Sequence, residues 1–263
     1  MKIGFIGTGN IATAIINGIV SAGTVSKNDI ILTDINEDKR NEFTANGFNC
    51  ATSNKEVAEG CDYIFLTIKP QFYDDVLCDI KEYGDKVYIT VAPGITTDHI
   101  KKMLGESTRV IRTMPNTPAL VGEGVTAVCK SADLPETDFE FAKKLIGSFS
   151  EIYIMEEKYL DPIISVSGSS PAYAYMFIDA IAKAGEKQGV DYKTALRMAA
   201  KTVLGSAKLL LQATEAPEIL IDRVCSKGGT TIEAVNSLKA DGFYESIDKA
   251  MNACTKRALE LKK

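Results

Sequence analysis

The sequence has a single histidine, His99, and its six cysteines include no C-x-x-C pair. One imidazole in an ordinary helical segment does not build a histidine-based metal site or a Ser-His-Asp triad, so His99 is expected to serve the surface. A chain of 263 residues can bury a core without covalent staples. Its scattered cysteines therefore read as reduced thiols, and a cytoplasmic location follows. Basic excess is also missing. With a formal net charge of -5, no nucleic-acid partner is expected, and an anionic cofactor must be met by local groups. Long apolar runs are absent too. The first 23 residues imitate a signal peptide, but Asn10, Asn17 and several glycines interrupt them. Residues 163–178 lack charges, yet Ser165, Ser167, Gly168, Ser169, Ser170 and Pro171 break that stretch before it could span a membrane.

What is present begins almost at the first residue. Ile3 to Ile6 form a short apolar run, Gly7, Gly9 and Ala12 follow as G-x-G-x-x-A, and from Ile11 the apolar residues take helical period. Strand, tight turn and helix in that order suit a dinucleotide. Gly7 permits the turn, Gly9 lets a pyrophosphate approach the backbone, and Ala12 lets helix and strand pack closely. The open helix end then meets the phosphates. A second buried strand, residues 30–34, ends in Asp34, where a carboxylate can accept hydrogen bonds from ribose hydroxyls. That placement favours NAD over NADP, with Lys39 and Arg40 as a counterweight. An N-cap on the next helix is the structural alternative for Asp34.

Strands at residues 48–51, 62–68, 87–91, 109–112, 126–129 and 151–155 alternate with helical segments, which implies a parallel doubly wound sheet. The fourth strand runs into Lys69-Pro70-Gln71, so Lys69 can face a cofactor phosphate or ribose. Residues 113–119, with two prolines, an asparagine and two threonines, form a rigid polar loop at a strand end. From Glu156 onward only helical periods remain. The expected division is a dinucleotide-binding domain over residues 1–157 and an all-α domain over residues 158–263. Ser170 reads as an N-cap with Pro171 at the first helical position. The helix they open is apolar on nearly every face, as a helix buried on all sides would be. The next helix offers Ala195, Met198, Ala199, Val203, Leu210 and Leu211 to a core. So small a helical half is best buried by an intertwined dimer.

A second glycine-rich stretch, residues 225–233, contains Thr230-x-x-Glu233 in the form of a capping box, so Gly228, Gly229 and Thr230 mark a helix N-terminus. Such an end binds a small carboxylate as readily as a phosphate, and Ser226 and Thr231 add hydroxyls in the same turn. The plain alternative is a well-capped connection.

The chain resembles the pyrroline-5-carboxylate reductases. The resemblance rests on residues 7–12 (Gly-Thr-Gly-Asn-Ile-Ala), 68–71 (Ile-Lys-Pro-Gln), 112–119 (Arg-Thr-Met-Pro-Asn-Thr-Pro-Ala), 167–173 (Ser-Gly-Ser-Ser-Pro-Ala-Tyr) and 228–232 (Gly-Gly-Thr-Thr-Ile). It implies an N-terminal Rossmann domain, a helical C-terminal domain that interlocks two subunits, and assembly of dimers into larger oligomers. By resemblance, Ile6, Gly7, Thr8, Gly9, Asn10, Ile11, Asn54, Thr67, Ile68, Lys69 and Pro70 contact NADPH or NADH. Ser226, Gly229, Thr230 and Thr231 match the loop that holds the substrate carboxylate, with Thr231, or a water nearby, beside the ring nitrogen. The family usually has Gly where Ser170 stands and Pro where Lys227 stands. The implied reaction is reduction of a cyclic imine to L-proline. The rivals are a β-hydroxyacid dehydrogenase, which needs a lysine base near the start of the long helix, and a non-catalytic dinucleotide sensor.

Overall fold

The computed structural model describes residues 1–262. The chain divides into two units: residues 1–169 together with those from Cys254 onward, and residues 170–253. The first unit is an eight-stranded sheet in the order β3-β2-β1-β4-β5-β6-β7-β8. Its strands are β1 (Ile3–Ile6), β2 (Ile30–Thr33), β3 (Asn49–Cys50), β4 (Tyr63–Leu66), β5 (Val87–Thr90), β6 (Arg109–Met114), β7 (Gly124–Lys130) and β8 (Ser150–Ile154). Helices α1 (Asn10–Ser21), α2 (Glu37–Ala45), α3 (Asn54–Gly60), α4 (Tyr73–Asp79), α5 (Thr97–Leu104) and α6 (Glu136–Gly147) cover it.

The apolar strand runs have a direct cause: both faces of the sheet are buried. Ile3, Phe5, Tyr63, Phe65, Val87 and Ile89 point into the core shared with α1 and α6. Their neighbours Ile6, Ile64, Leu66 and Tyr88 point into the core under α3, α4 and α5. Phe5 and Phe65 stack on adjacent strands with centroids 4.8 Å apart, an aromatic pair worth about 0.5–1.5 kcal/mol beyond its buried area. Ala12 is fully buried where α1 meets the sheet.

The sheet is parallel except between β6 and β7, which pair antiparallel from Met114 opposite Ala127 to Ile111 opposite Lys130. Residues 115–123 join them with only a 3-10 turn, Thr117–Val121, and a parallel return needs a crossover of about a dozen residues or more. Alternating strand and helix signals do not show this reversal.

The second unit contains α7 (Ser170–Lys187), α8 (Tyr192–Gln212), α9 (Pro217–Val224), α10 (Thr230–Ala240) and most of α11 (Phe243–Glu260). Asp191 caps α8 by accepting from the Thr194 N–H at 2.9 Å. Ser170 is not the expected N-cap. It lies inside α7, which continues from a π-helical turn at Ile164–Gly168 closed by the Ser169 N–H on the Ile164 carbonyl at 2.7 Å. Within the single chain α7 is not covered all round: Ala182 is buried, while Tyr175 and Met176 are largely exposed. In α8, Ala195 and Ala199 are buried, but Met198, Leu210 and Leu211 stand exposed in the single chain. These side chains form apolar surface that one chain does not cover.

Candidate active site

Helices α1 and α10 each begin on a glycine with no side-chain cap. At α1 the N-cap is Gly9, and the first turn holds no acidic residue. At α10 the N-cap is Gly229. By contrast, α2, α3 and α5 are capped by Asn36, Ser53 and Thr96. The expected capping box at α10 is therefore absent. Thr230 is the first helical residue and its side chain makes no capping bond. Both helix ends keep first-turn N–H groups for an anion.

The α1 turn is held from both neighbouring strands. Gly7 has φ 95°, a left-handed conformation that glycine adopts without strain. A Cβ there would sit 2.8 Å from the Thr67 carbonyl oxygen. Its own N–H donates to the Thr33 carbonyl at 2.8 Å. From the β4 side, Thr67 Oγ1 donates to the carbonyls of Gly7 at 2.6 Å and Ile6 at 3.1 Å. From the β2 side, Asp34 Oδ2 accepts from the Thr8 N–H at 2.7 Å and from Thr8 Oγ1 at 2.8 Å, and Oδ1 accepts from the Asn36 N–H at 2.9 Å. Asn36, not Asp34, caps α2. A Cβ at Gly9 would meet no atom within 4 Å, so the backbone there is open to a close-approaching group. That open cradle beside an uncapped helix end fits a dinucleotide pyrophosphate.

Of the other expected cofactor residues, Thr67, Ile68, Lys69 and Pro70 follow β4 at the same edge of the sheet, and Lys69 is exposed. The Asn54 side chain is turned towards α4, where Nδ2 donates to Asp79 Oδ2 at 3.2 Å. His99 is half-buried, and its Nε2 lies 2.8 Å from Asp74 Oδ1, which ties α5 to α4. All six cysteines are free thiols.

In the second unit, Ser226, Lys227, Gly228 and Gly229 make a tight turn closed by the Gly229 N–H on the Ser226 carbonyl at 3.0 Å, with Gly228 at φ 71°. A Cβ at Gly229 would collide with Ser226 Oγ, so glycine lets that hydroxyl lie over the turn. Gly229 and Thr231 are half-buried, and Ser226 and Thr230 exposed. These expected substrate residues thus form one compact group at the start of α10. Lys183, the nearest lysine for a dehydrogenase base, is bound to Asp179 at 2.7 Å. The Asp179 hydrogen bond and charge push its ammonium above its usual value, away from the neutral amine that a base requires.

One residue lacked any role in the sequence. Asn116, almost fully buried, accepts the Val125 N–H at 2.9 Å and donates through Nδ2 to the Ser167 carbonyl at 3.1 Å. Ser167 lies four residues before Pro171, which has no N–H to offer that carbonyl. The proline is the signal that could have found it: the freed acceptor needs a donor from elsewhere.

A doubly wound sheet with an open glycine turn, followed by a helical region with a second open helix end, defines a nicotinamide-dependent oxidoreductase. Residues 157–261 match the family described as pyrroline-5-carboxylate reductase dimerisation, and residues 2–94 that of NADP oxidoreductase, coenzyme F420-dependent. A pyrroline-5-carboxylate reductase of Escherichia coli (strain K12) is 39% identical, over 100% of this chain and 98% of the relative. A Plasmodium falciparum pyrroline carboxylate reductase solved with NADP bound superposes with a TM-score of 0.93 at 28% identity, covering 100% of this chain and 98% of that one. The Coxiella burnetii enzyme gives 0.90 at 31% identity, with 100% and 98% covered. The chain belongs to the pyrroline-5-carboxylate reductase family. Among the described residues, no helix is long and apolar enough to cross a membrane.

Proposed function

We propose that this protein reduces L-1-pyrroline-5-carboxylate to L-proline with NADPH or NADH, in the cytoplasm. It acts as a homodimer formed through the C-terminal helices and as a larger assembly of such dimers. Residues 1–157 bind the dinucleotide, and residues 158–263 bind the imino acid and dimerise. The observation that carries the reading is the glycine-capped start of α10, where free N–H groups and the hydroxyls of Ser226 and Thr231 share one turn.

The nicotinamide cofactor supplies a hydride when bound. Ile6, Gly7, Thr8, Gly9, Asn10 and Ile11 offer it the helix end, and Thr67, Ile68, Lys69 and Pro70 line the adjacent strand end. Asp34 and Asn54 flank that edge. On the substrate side, the N–H groups of Thr230 and Thr231 hold the carboxylate of the imino acid, which lies against the Gly229 backbone. Ser226 Oγ donates to the same group. Thr231 Oγ1 hydrogen-bonds the ring nitrogen, which arrives protonated as an iminium, so no strong acid is needed when its carbon accepts the hydride. The product is the neutral secondary amine, which takes a proton from water. Orientation is then the chain's main contribution to the rate.

Oxidation of NADPH and NADH in the presence of pyrroline-5-carboxylate, with L-proline quantified as product, tests the reading. Thr231→Ala is expected to lower kcat by about 10- to 1,000-fold at little cost in cofactor affinity. Near-normal turnover would remove Thr231 from the mechanism.

A further inference from the structure

We infer that Asp34 is a positioning residue that braces the dinucleotide turn and does not discriminate between NADH and NADPH. The inference rests on the dinucleotide reading of the α1 turn given above. A carboxylate has about four acceptor positions, two on each oxygen. Both positions of Asp34 Oδ2 are taken by Thr8, through its N–H at 2.7 Å and its hydroxyl at 2.8 Å. The Asn36 N–H takes one position of Oδ1 at 2.9 Å. A ribose diol held in bidentate fashion would have to displace Thr8 and so loosen the turn that carries the phosphates.

The backbone of Asp34 is fixed as well, because the Arg40 guanidinium donates to its carbonyl oxygen. A cavity of about 590 Å³ runs past Thr8, Asn10 and Lys39 along α1 and α2. Burial of the Asp34 carboxyl would push its pKa up, but the hydrogen bonds from Asn36 and Thr8, with Lys39 nearby, outweigh it and hold the group below its ordinary value. The carboxylate is charged, and both positions of Oδ2 and one of Oδ1 are taken by the protein itself. Together with Thr67 on the other strand, it presets the turn before any ligand arrives.

The test is direct titration of NADPH and NADH, by protein fluorescence or calorimetry without substrate, on the full chain and on Asp34→Ala and Asp34→Asn. Asp34→Ala is expected to weaken both cofactors by a similar factor, about tenfold. Asp34→Asn, whose amide oxygen still accepts from Thr8, is expected to recover part of that loss. The ratio of the two affinities should stay within about threefold of the unsubstituted protein, a small allowance for the removed charge. A shift of tenfold or more towards NADPH in either variant would show that Asp34 faces the ribose, and unchanged affinity for both cofactors would show that it braces nothing. Failure of the unsubstituted protein to bind either dinucleotide would overturn the inference together with the cofactor reading. Tight binding without pyrroline-5-carboxylate reduction would defeat the proposed reaction and leave the brace standing.

Discussion

Replacing Asp161 by alanine would leave the most deeply buried charge of the sheet without its closest partner. Arg112, on β6, has no exposed surface, and its guanidinium pairs with Asp161, which is 2% exposed. A second carboxylate, Glu157, lies 3.3 Å from the same guanidinium but keeps 28% of its side chain in solvent and also accepts from Thr97 N–H at 2.8 Å and Thr97 Oγ1 at 2.7 Å. Arg112 Nε has no partner. A guanidinium does not deprotonate in a protein, so it cannot neutralise itself when Asp161 is lost. Removing one partner of such a buried pair costs about 3–5 kcal/mol. At roughly 2–4 °C per kcal/mol for a chain of this size, the thermal midpoint should fall by about 6–20 °C. The assay is denaturant unfolding at fixed protein concentration, since an oligomer's apparent stability depends on it. The companion variant carries Arg112→Met and Asp161→Leu together. With the charge gone as well as its partner, it should lose less than Asp161→Ala alone. A loss below about 1 kcal/mol in the single variant, or a double variant less stable than the single one, would refute the argument.

Gly9→Val should fold normally, because φ -73° and ψ -174° suit other residues and a Cβ there meets nothing within 4 Å. It should weaken both dinucleotides by at least about tenfold in a binding titration, since the side chain fills the approach of the pyrophosphate. Lys227→Pro places proline at the second position of a tight turn, where its fixed φ is favoured, and should raise stability by about 0.4–1 kcal/mol in denaturant unfolding. The Asp34 carboxyl is held below its ordinary 3.8. Its contribution is therefore complete above about pH 4 and disappears as the pH falls through the lower folded-state value. Between pH 5 and pH 3, Asp34→Asn should accordingly lose less stability than the unsubstituted protein in the same unfolding assay.

Much of the sheet was legible because both of its faces are buried, which turns β1, β2, β4 and β5 into unbroken apolar runs. The turn at Gly7 and Gly9 was legible for a different reason: small residues at that spacing answer a steric demand that few other turns make. Features set by long-range geometry were hidden. The reversal at β7 depends on the length of a loop that composition describes only as rigid. The capping box at Thr230 satisfied a local pattern, yet the chain caps that helix with Gly229 and leaves the threonine helical. Apolar side chains such as Met198 and Leu211 obeyed helical period, but periodicity does not say whether the covering surface belongs to the same chain. For Asp34, the spacing puts it beside the glycine turn, and only the bonds to Thr8 and Asn36 show how fully its oxygens are used.

The last turns of α11 do not remain with the helices that precede them. Residues from Cys254 onward belong to the first unit, where Ala258 packs with Met114, Ala127 and Ile164, Thr255 Oγ1 donates to Ser165 Oγ at 3.2 Å, and a Cβ at Gly94 would collide with the Leu261 carbonyl. During synthesis, which delivers the chain from its N-terminus, the sheet and its first six helices emerge well before this segment. The first unit therefore waits, with the end of β6 uncovered, until residues 254–261 are made. A ribosome stalled anywhere in the helical half would display a sheet still missing its final piece, a point at which a chaperone or a protease could distinguish unfinished chains from finished ones.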